Sequence, residues 1–204
     1  LRFMLIMALF ICNVNVFANN EEDNTAQVSI GNGNDTDMST PFVMKYCYSW
    51  SETIYQGNQI GGACTIESIS YHNSVSSSSD YIKLDELDIY MALTEKTHFS
   101  TQADWTPSNK LILVYSGKDV LLGDTPWEKI TLDAPFYYNG RGNLVVVVAK
   151  KTNQYKSGNK WYYTKNDLNA NLYYANDGNE NIADNPPTSS DQGVRTTWSA
   201  NIIL

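Results

Sequence analysis

From residue 41 onward, short apolar or alternating stretches recur about every 10 to 15 residues, and Gly, Asn, Ser and Pro separate them. No segment sustains a 3.6-residue period. A chain punctuated this often has no room for long helices, and its pattern predicts an antiparallel β-sandwich or barrel. The strand candidates are residues 42–48, 51–55, 64–72, 85–93, 111–116, 120–122, 127–132, 144–149, 161–164, 172–175 and 196–203. Residues 65–71 alternate with period two, as a half-buried strand does. Residues 144–149 read LVVVVA. They are apolar on both faces and β-branched, which predicts a central strand buried on both sides. One short helical turn is expected at residues 100–105, with Ser100 or Thr101 as its cap and Pro107 as its stop.

Of the 204 residues, 42% are hydrophobic. A chain of this size can hide roughly 70% of its unfolded surface. Fourteen Tyr and five Trp exclude a disordered acidic chain. The net charge is −8. The lysines at 150, 151, 156, 160 and 165 form a local positive stretch, but nucleic-acid binding needs a basic face that this acidic chain lacks. No apolar run reaches about 18 residues, so no membrane span is expected.

The first residues are a targeting signal. Arg2 precedes ten apolar residues, 3–12, and Val16-Phe17-Ala18 supplies a cleavage site after Ala18. The expected organisation is a signal peptide at 1–18, a polar lead with a short first strand at 19–40, and one β-sandwich domain at 41–204. The expected location is extracellular or on the cell surface. Cleavage leaves two cysteines, Cys47 and Cys64. In an oxidising compartment they are a disulfide candidate, with two separately buried thiols as the alternative.

Several pieces in order carry a resemblance: VSIGNG (28–33), SWSETIY (49–55), CTIESISY (64–71), LDIYMALTEKTHF (87–99), DWTP (104–107), LVYSG (113–117) and WEKITLDAPFYYNGRGNLVVVV (127–148). The series resembles a jelly-roll β-sandwich module of secreted and surface proteins of anaerobic gut bacteria, which often sits beside fibronectin type III or sorting domains. The resemblance spans about residues 26–151. It implies an all-β, antiparallel jelly-roll β-sandwich and an adhesion, carbohydrate-binding or spacer role. It brings no catalytic residues with it. Where relatives tend to carry acidic residues and Gly after the buried strand, this chain has Lys150-Lys151-Thr152-Asn153.

Catalysis finds little support in the sequence. A nucleophile needs a nearby base, and only His72 and His98 are available, each expected at a solvent-facing strand end or loop. Paired carboxylates for glycoside hydrolysis can be drawn from Asp85, Glu86 and Asp88, or from Asp104, Asp124, Glu128 and Asp133. Surface carboxylates at strand ends are the commoner outcome in an acidic chain, and the protein is expected not to be an enzyme. Zinc spacing is absent. A structural calcium is the one cofactor considered, with Asp177, Asn179 and Asp184 as oxygen ligands around Gly178, and a solvated Asn/Asp-rich turn as the alternative.

Carbohydrate recognition is the productive reading. Sugar C–H faces pack on exposed aromatic rings while amides and carboxylates orient the hydroxyls. The candidates are Tyr155, Trp161, Tyr163 and Tyr173 with Asn159, and Asn153 and Asn171 nearby. Alternation places Trp161 and Tyr163 on one face of a strand and Tyr162 on the other, and one of those faces belongs to the core. Trp105 and Trp127 read as structural. The expectation is a secreted, non-catalytic module for adhesion or carbohydrate binding, with a glycan or surface protein as partner. The alternative is an architectural or self-assembling domain.

Overall fold

The computed structural model describes residues 26–74, 82–123, 125–153, 160–178 and 187–204. The chain is built almost wholly of antiparallel strands, numbered here along the sequence. One sheet contains, in spatial order, β1 (Ser29–Ile30), β13 (Ile202–Ile203), β4 (Cys64–His72) and β7 (Trp127–Tyr138). The other runs β11 (Val194–Thr196), β10 (Asn171–Asn176), β3 (Tyr48–Tyr55), β8 (Asn143–Lys151), β5 (Ile82–Thr94) and β6 (Ile112–Leu122). A small third sheet joins β12 (Trp198–Ala200), β9 (Trp161–Lys165) and β2 (Asp35–Asp37).

Setting aside β2 and the insertion β9 to β12, eight strands remain. Counted along the chain, they lie in the spatial orders first-eighth-third-sixth and second-seventh-fourth-fifth. That is the double Greek key of a jelly roll. The expected architecture is therefore the observed one.

The main core lies between the two sheets. Ile66, Ile69, Tyr71, Ile130 and Phe136 of one meet Leu87, Ile89, Met91, Leu144, Val146 and Val148 of the other. The opposite side chains of β8 point the other way. Val145, Val147 and Ala149 form a second cluster with Trp50, Ile54, Phe99, Trp105 and Leu172. The LVVVVA strand is thus buried on both faces, between β3 and β5.

That second cluster needs a cover, and loops supply it. Trp105 Nε1 donates to the Asp191 carbonyl at 2.8 Å, and Arg195 Nη1 donates to the carbonyls of Phe99 and Ser100. Beneath them Glu52 is fully buried, its two oxygens accepting from Trp50 Nε1 and from the Thr106 amide, each at 3.0 Å. Burial raises the Glu52 carboxyl above the usual carboxylate value.

Two local expectations are corrected. Residues 42–47 form no strand: Phe42, Val43 and Met44 are buried as an irregular plug, and the strand starts only at Tyr48. They are apolar because they fill the core, not because they alternate. Residues 100–105 form no helical turn either. Asp104 draws in Lys96 Nζ at 2.6 Å and the Ser100 amide and hydroxyl at 2.8 and 2.9 Å, knotting the loop around a carboxylate instead. The short helical turns are Gly57–Ile60 and the 3-10 turn Ser108–Lys110. The first is held where the Gln56 amide donates to Gln59 Oε1 at 3.1 Å.

The Gly140-Arg141-Gly142 turn between β7 and β8 requires its glycines, with φ of 75° and 67°. A Cβ at 142 would also meet the Thr94 carbonyl oxygen at 2.8 Å.

Candidate binding groove

Loops cover the second cluster on the outer face of the six-stranded sheet, and the opposite outer face is that of β1-β13-β4-β7. Pleating sends Thr65, Glu67, Ser68 and Ser70 of β4 and Lys129 and Thr131 of β7 outward, opposite the core-facing Ile66, Ile69 and Ile130. A β-bulge between Ile66 and Ser68 shifts the register there and brings Glu67 and Ser68 out together. These residues, with Gln27, Ile203 and Leu204, line a groove of about 650 Å³. The short Ser and Thr side chains make the floor low. Glu67 and Lys129 carry the charged side chains among the lining residues.

Aromatic rings stand at both ends of this face. At one end Tyr137, opposite Thr65, is 64% exposed. At the other, His72 pairs with Trp127 across the strands, and their rings stack with centroids 4.5 Å apart. Tyr162 of β9 covers the other side of the imidazole at 4.2 Å. Burial between the two rings lowers the His72 pKa below its usual value, so the imidazole is neutral at neutral pH. The arrangement offers a row of hydroxyls that donate and accept, one carboxylate, one ammonium and flat apolar faces.

A second cavity, about 100 Å³, is lined by Tyr55, Gln56, Gln59, Thr164 and Asn166. It has room for a few waters and not for a sugar ring.

The residues expected to bind sugar fall elsewhere. Trp161 is 1% exposed and packs against Phe42 at 4.8 Å and Tyr71 at 6.5 Å, so it is core and not a binding platform. The face of β9 that carries Trp161 is the inward one, which leaves Tyr162 as the outward ring. Tyr163 is half-buried against Trp198 at 5.2 Å. Tyr173 is half-buried on β10, between Ser51 and Val194. Asn171 is fully buried: its Oδ1 accepts from Thr40 and Thr53, and its Nδ2 donates to Thr196. Tyr155 and Asn159 lie outside the described residues. Neither Tyr163 nor Tyr173 reaches the groove lining.

Of the proposed calcium ligands, Asn179 and Asp184 lie outside the described residues, and Asp177 accepts the Cys47 amide at 2.9 Å. Among the described residues no group of three or more His, Cys, Asp or Glu is placed to hold a metal. The Cys47–Cys64 disulfide is not formed, and both thiols are free. Cys47 lies just before β3 and Cys64 lies beyond its far end, so the whole strand separates them. Eight extended residues cover about 26 Å, far beyond the roughly 7 Å that a disulfide spans between Cα atoms.

The candidate catalytic carboxylates have structural work. Asp85 accepts the Asn153 amide, Glu86 pairs with Lys151, Glu128 accepts the Gly123 amide and Asp133 accepts the Ser116 amide. Asp104 holds the loop knot, and the Lys96 and Ser100 donors around it keep its carboxyl below the usual value despite the opposing effect of burial. Asp124 lies outside the described residues. No helix of the described residues is long and apolar enough to cross a membrane.

His72, expected to face solvent at a strand end, is instead half-buried between two rings, and the outward placement of Tyr137 and Tyr162 was not legible in the sequence. The available signal was the alternation of residues 65–71, whose polar members share one face. In comparisons with known proteins, no family model, no curated protein and no solved structure matches this chain.

Proposed function

We propose that this protein is an exported, non-catalytic surface module that adheres by binding carbohydrate in the groove on the outer face of the four-stranded sheet. The observation that supports this reading is a groove of about 650 Å³ with a hydroxyl-bearing floor, on a sheet face that carries exposed or stacked rings beyond the groove, at the two ends of the β4–β7 ladder. Sugars need that combination, because their C–H faces seek aromatic surface while their hydroxyls need donors and acceptors. A glycan array probed with the folded chain tests it. Selective binding that Tyr137→Ala abolishes supports the reading, and a folded chain that binds no glycan overturns it.

A second reading, an architectural or self-assembling domain, draws on the edge strand β6. Ile112, Leu113 and Leu121 are more than 45% exposed there, and an open edge templates pairing with another chain. The middle of that edge is blunted. Asp119 sits in a left-handed conformation and pairs with Lys83 at 2.6 Å, and the Ser116 amide is taken by Asp133. These are devices that oppose edge pairing, so the groove is the stronger basis. Sedimentation at high protein concentration tests the self-assembly part of this reading: a monomer removes it.

A further inference from the structure

Resting on the carbohydrate reading, we infer that the groove takes an uncharged glycan in an extended stretch of several sugar rings, laid along β4 and β7 between Tyr137 and the Trp127–His72 pair. Three observations lead there.

The first is length. Thr65 pairs with Tyr137 and His72 pairs with Trp127, and the same two strands carry both pairs. From Thr65 to His72 the strand advances about 20 Å. A single sugar ring cannot reach both aromatic ends, whereas a linear oligosaccharide can. Its interior rings lie over Ser68, Ser70 and Thr131, whose short side chains leave the space.

The second is charge. The lining side chains hold one carboxylate, Glu67, and one ammonium, Lys129, so together they offer a polyanion no net positive charge. His72 adds none at neutral pH, because burial keeps it unprotonated. The whole chain is at −8 and repels acidic chains at long range.

The third is that the groove lies on a sheet face. In the plane of the sheet the backbone of β4 is paired with β7 along its length, and with β13 at Ser70 and Tyr71. Over the β4–β7 seam, where the two strands pair with each other, an extended peptide finds no open backbone to recognise. Side-chain hydroxyls are what the face presents, and hydroxyl-rich chains match them.

Titration calorimetry on the full chain tests the inference, with a neutral series from disaccharide to hexasaccharide of a β-glucan and of a mannan. Polygalacturonate and hyaluronan serve as the acidic probes. The expected result is binding of a neutral series, with affinity rising at least about tenfold from disaccharide to hexasaccharide. Tyr137→Ala and the groove-filling Thr131→Arg each remove that length dependence. Near-UV circular dichroism of each variant confirms that its Trp environment is kept. Binding of acidic probes alone, or affinity independent of length, overturns this inference and leaves the carbohydrate reading standing. Binding that both variants leave untouched overturns the placement in this groove. No binding to any probe by the folded chain overturns both.

Discussion

His72 lies flat against Trp127, with ring centroids 4.5 Å apart and planes within 8° of parallel. Tyr162 closes the other face of the same imidazole, so a residue at the end of β4 ties the four-stranded sheet to the small third sheet. The stack also sets the pH response of this corner. The His72 pKa is lowered by burial from 6.5, so between that lowered value and 6.5 the unfolded chain binds more protons than the folded one. Its contribution to stability is therefore full above 6.5 and falls as the pH drops below it. His72→Phe keeps a stacked ring and removes the proton. Urea midpoints measured at pH 7.5 and 5.5 should differ less in His72→Phe than in the parent chain, and an equal difference excludes His72 as the source.

Trp161 and Tyr137 should behave as opposites. Trp161→Ala empties a fully buried site against Phe42 and Tyr71, with a cost of about 3 to 5 kcal/mol. Tyr137→Ala acts on a ring that is mostly in water and should stay within about 0.5 kcal/mol of the parent. Denaturant unfolding of both variants decides it. A Trp161→Ala protein of unchanged stability would place that ring on the surface after all.

Lys150 carries a second pH signature, of alkaline sign. It is buried at the end of β8, where its Nζ donates to the Tyr46 carbonyl and so holds the 42–47 plug to the sheet. Burial lowers its pKa to about 8, from 10.5. Between those values the unfolded chain binds the extra proton, so this contribution rises with pH through the window. The gain is on the order of 2 kcal/mol between pH 7.5 and 10. Lys150→Met removes the charge at similar volume and should flatten that rise. A parent chain whose stability is level from pH 7.5 to 10, measured by urea midpoints, contradicts it.

The two cysteines should be indifferent to reductant. Each thiol is free, and burial raises each pKa above its ordinary value, with Asp177 adding to the effect at Cys47. A high thiol pKa means little thiolate and slow alkylation at neutral pH. The melting temperature should be the same with and without dithiothreitol. Mass spectrometry after alkylation in denaturant should count both thiols. A melting temperature that falls on reduction would mean that the pair is bridged.

The strand frequency, the absence of a helical period and the doubly apolar run at 144–149 were enough to predict an all-β sandwich. Each reports on a short stretch of backbone with neighbours close in sequence. The polar members of residues 65–71 likewise marked a solvent face before any partner strand was known. The misreadings share another cause. Trp161 and Tyr162 are consecutive rings on opposite faces of one strand, and local pattern cannot tell which face the core will take. Phe42 decided it, from more than a hundred residues away, by plugging the space beside Tyr71. The same distance problem separates Cys47 from Cys64, which are near in sequence and divided by the full length of β3.

What the sequence determined by itself was the material: short strands, an acidic surface, abundant rings and one strand that had to be central. Periodicity and composition are local properties, and they survive without knowledge of the fold. The tertiary structure alone decided which ring is core and which is available. Residues 99–105 and 191–195 cover the second cluster on one sheet, while the other sheet keeps a groove on its outer face. That choice depends on contacts between segments far apart along the chain, and no local pattern encodes it.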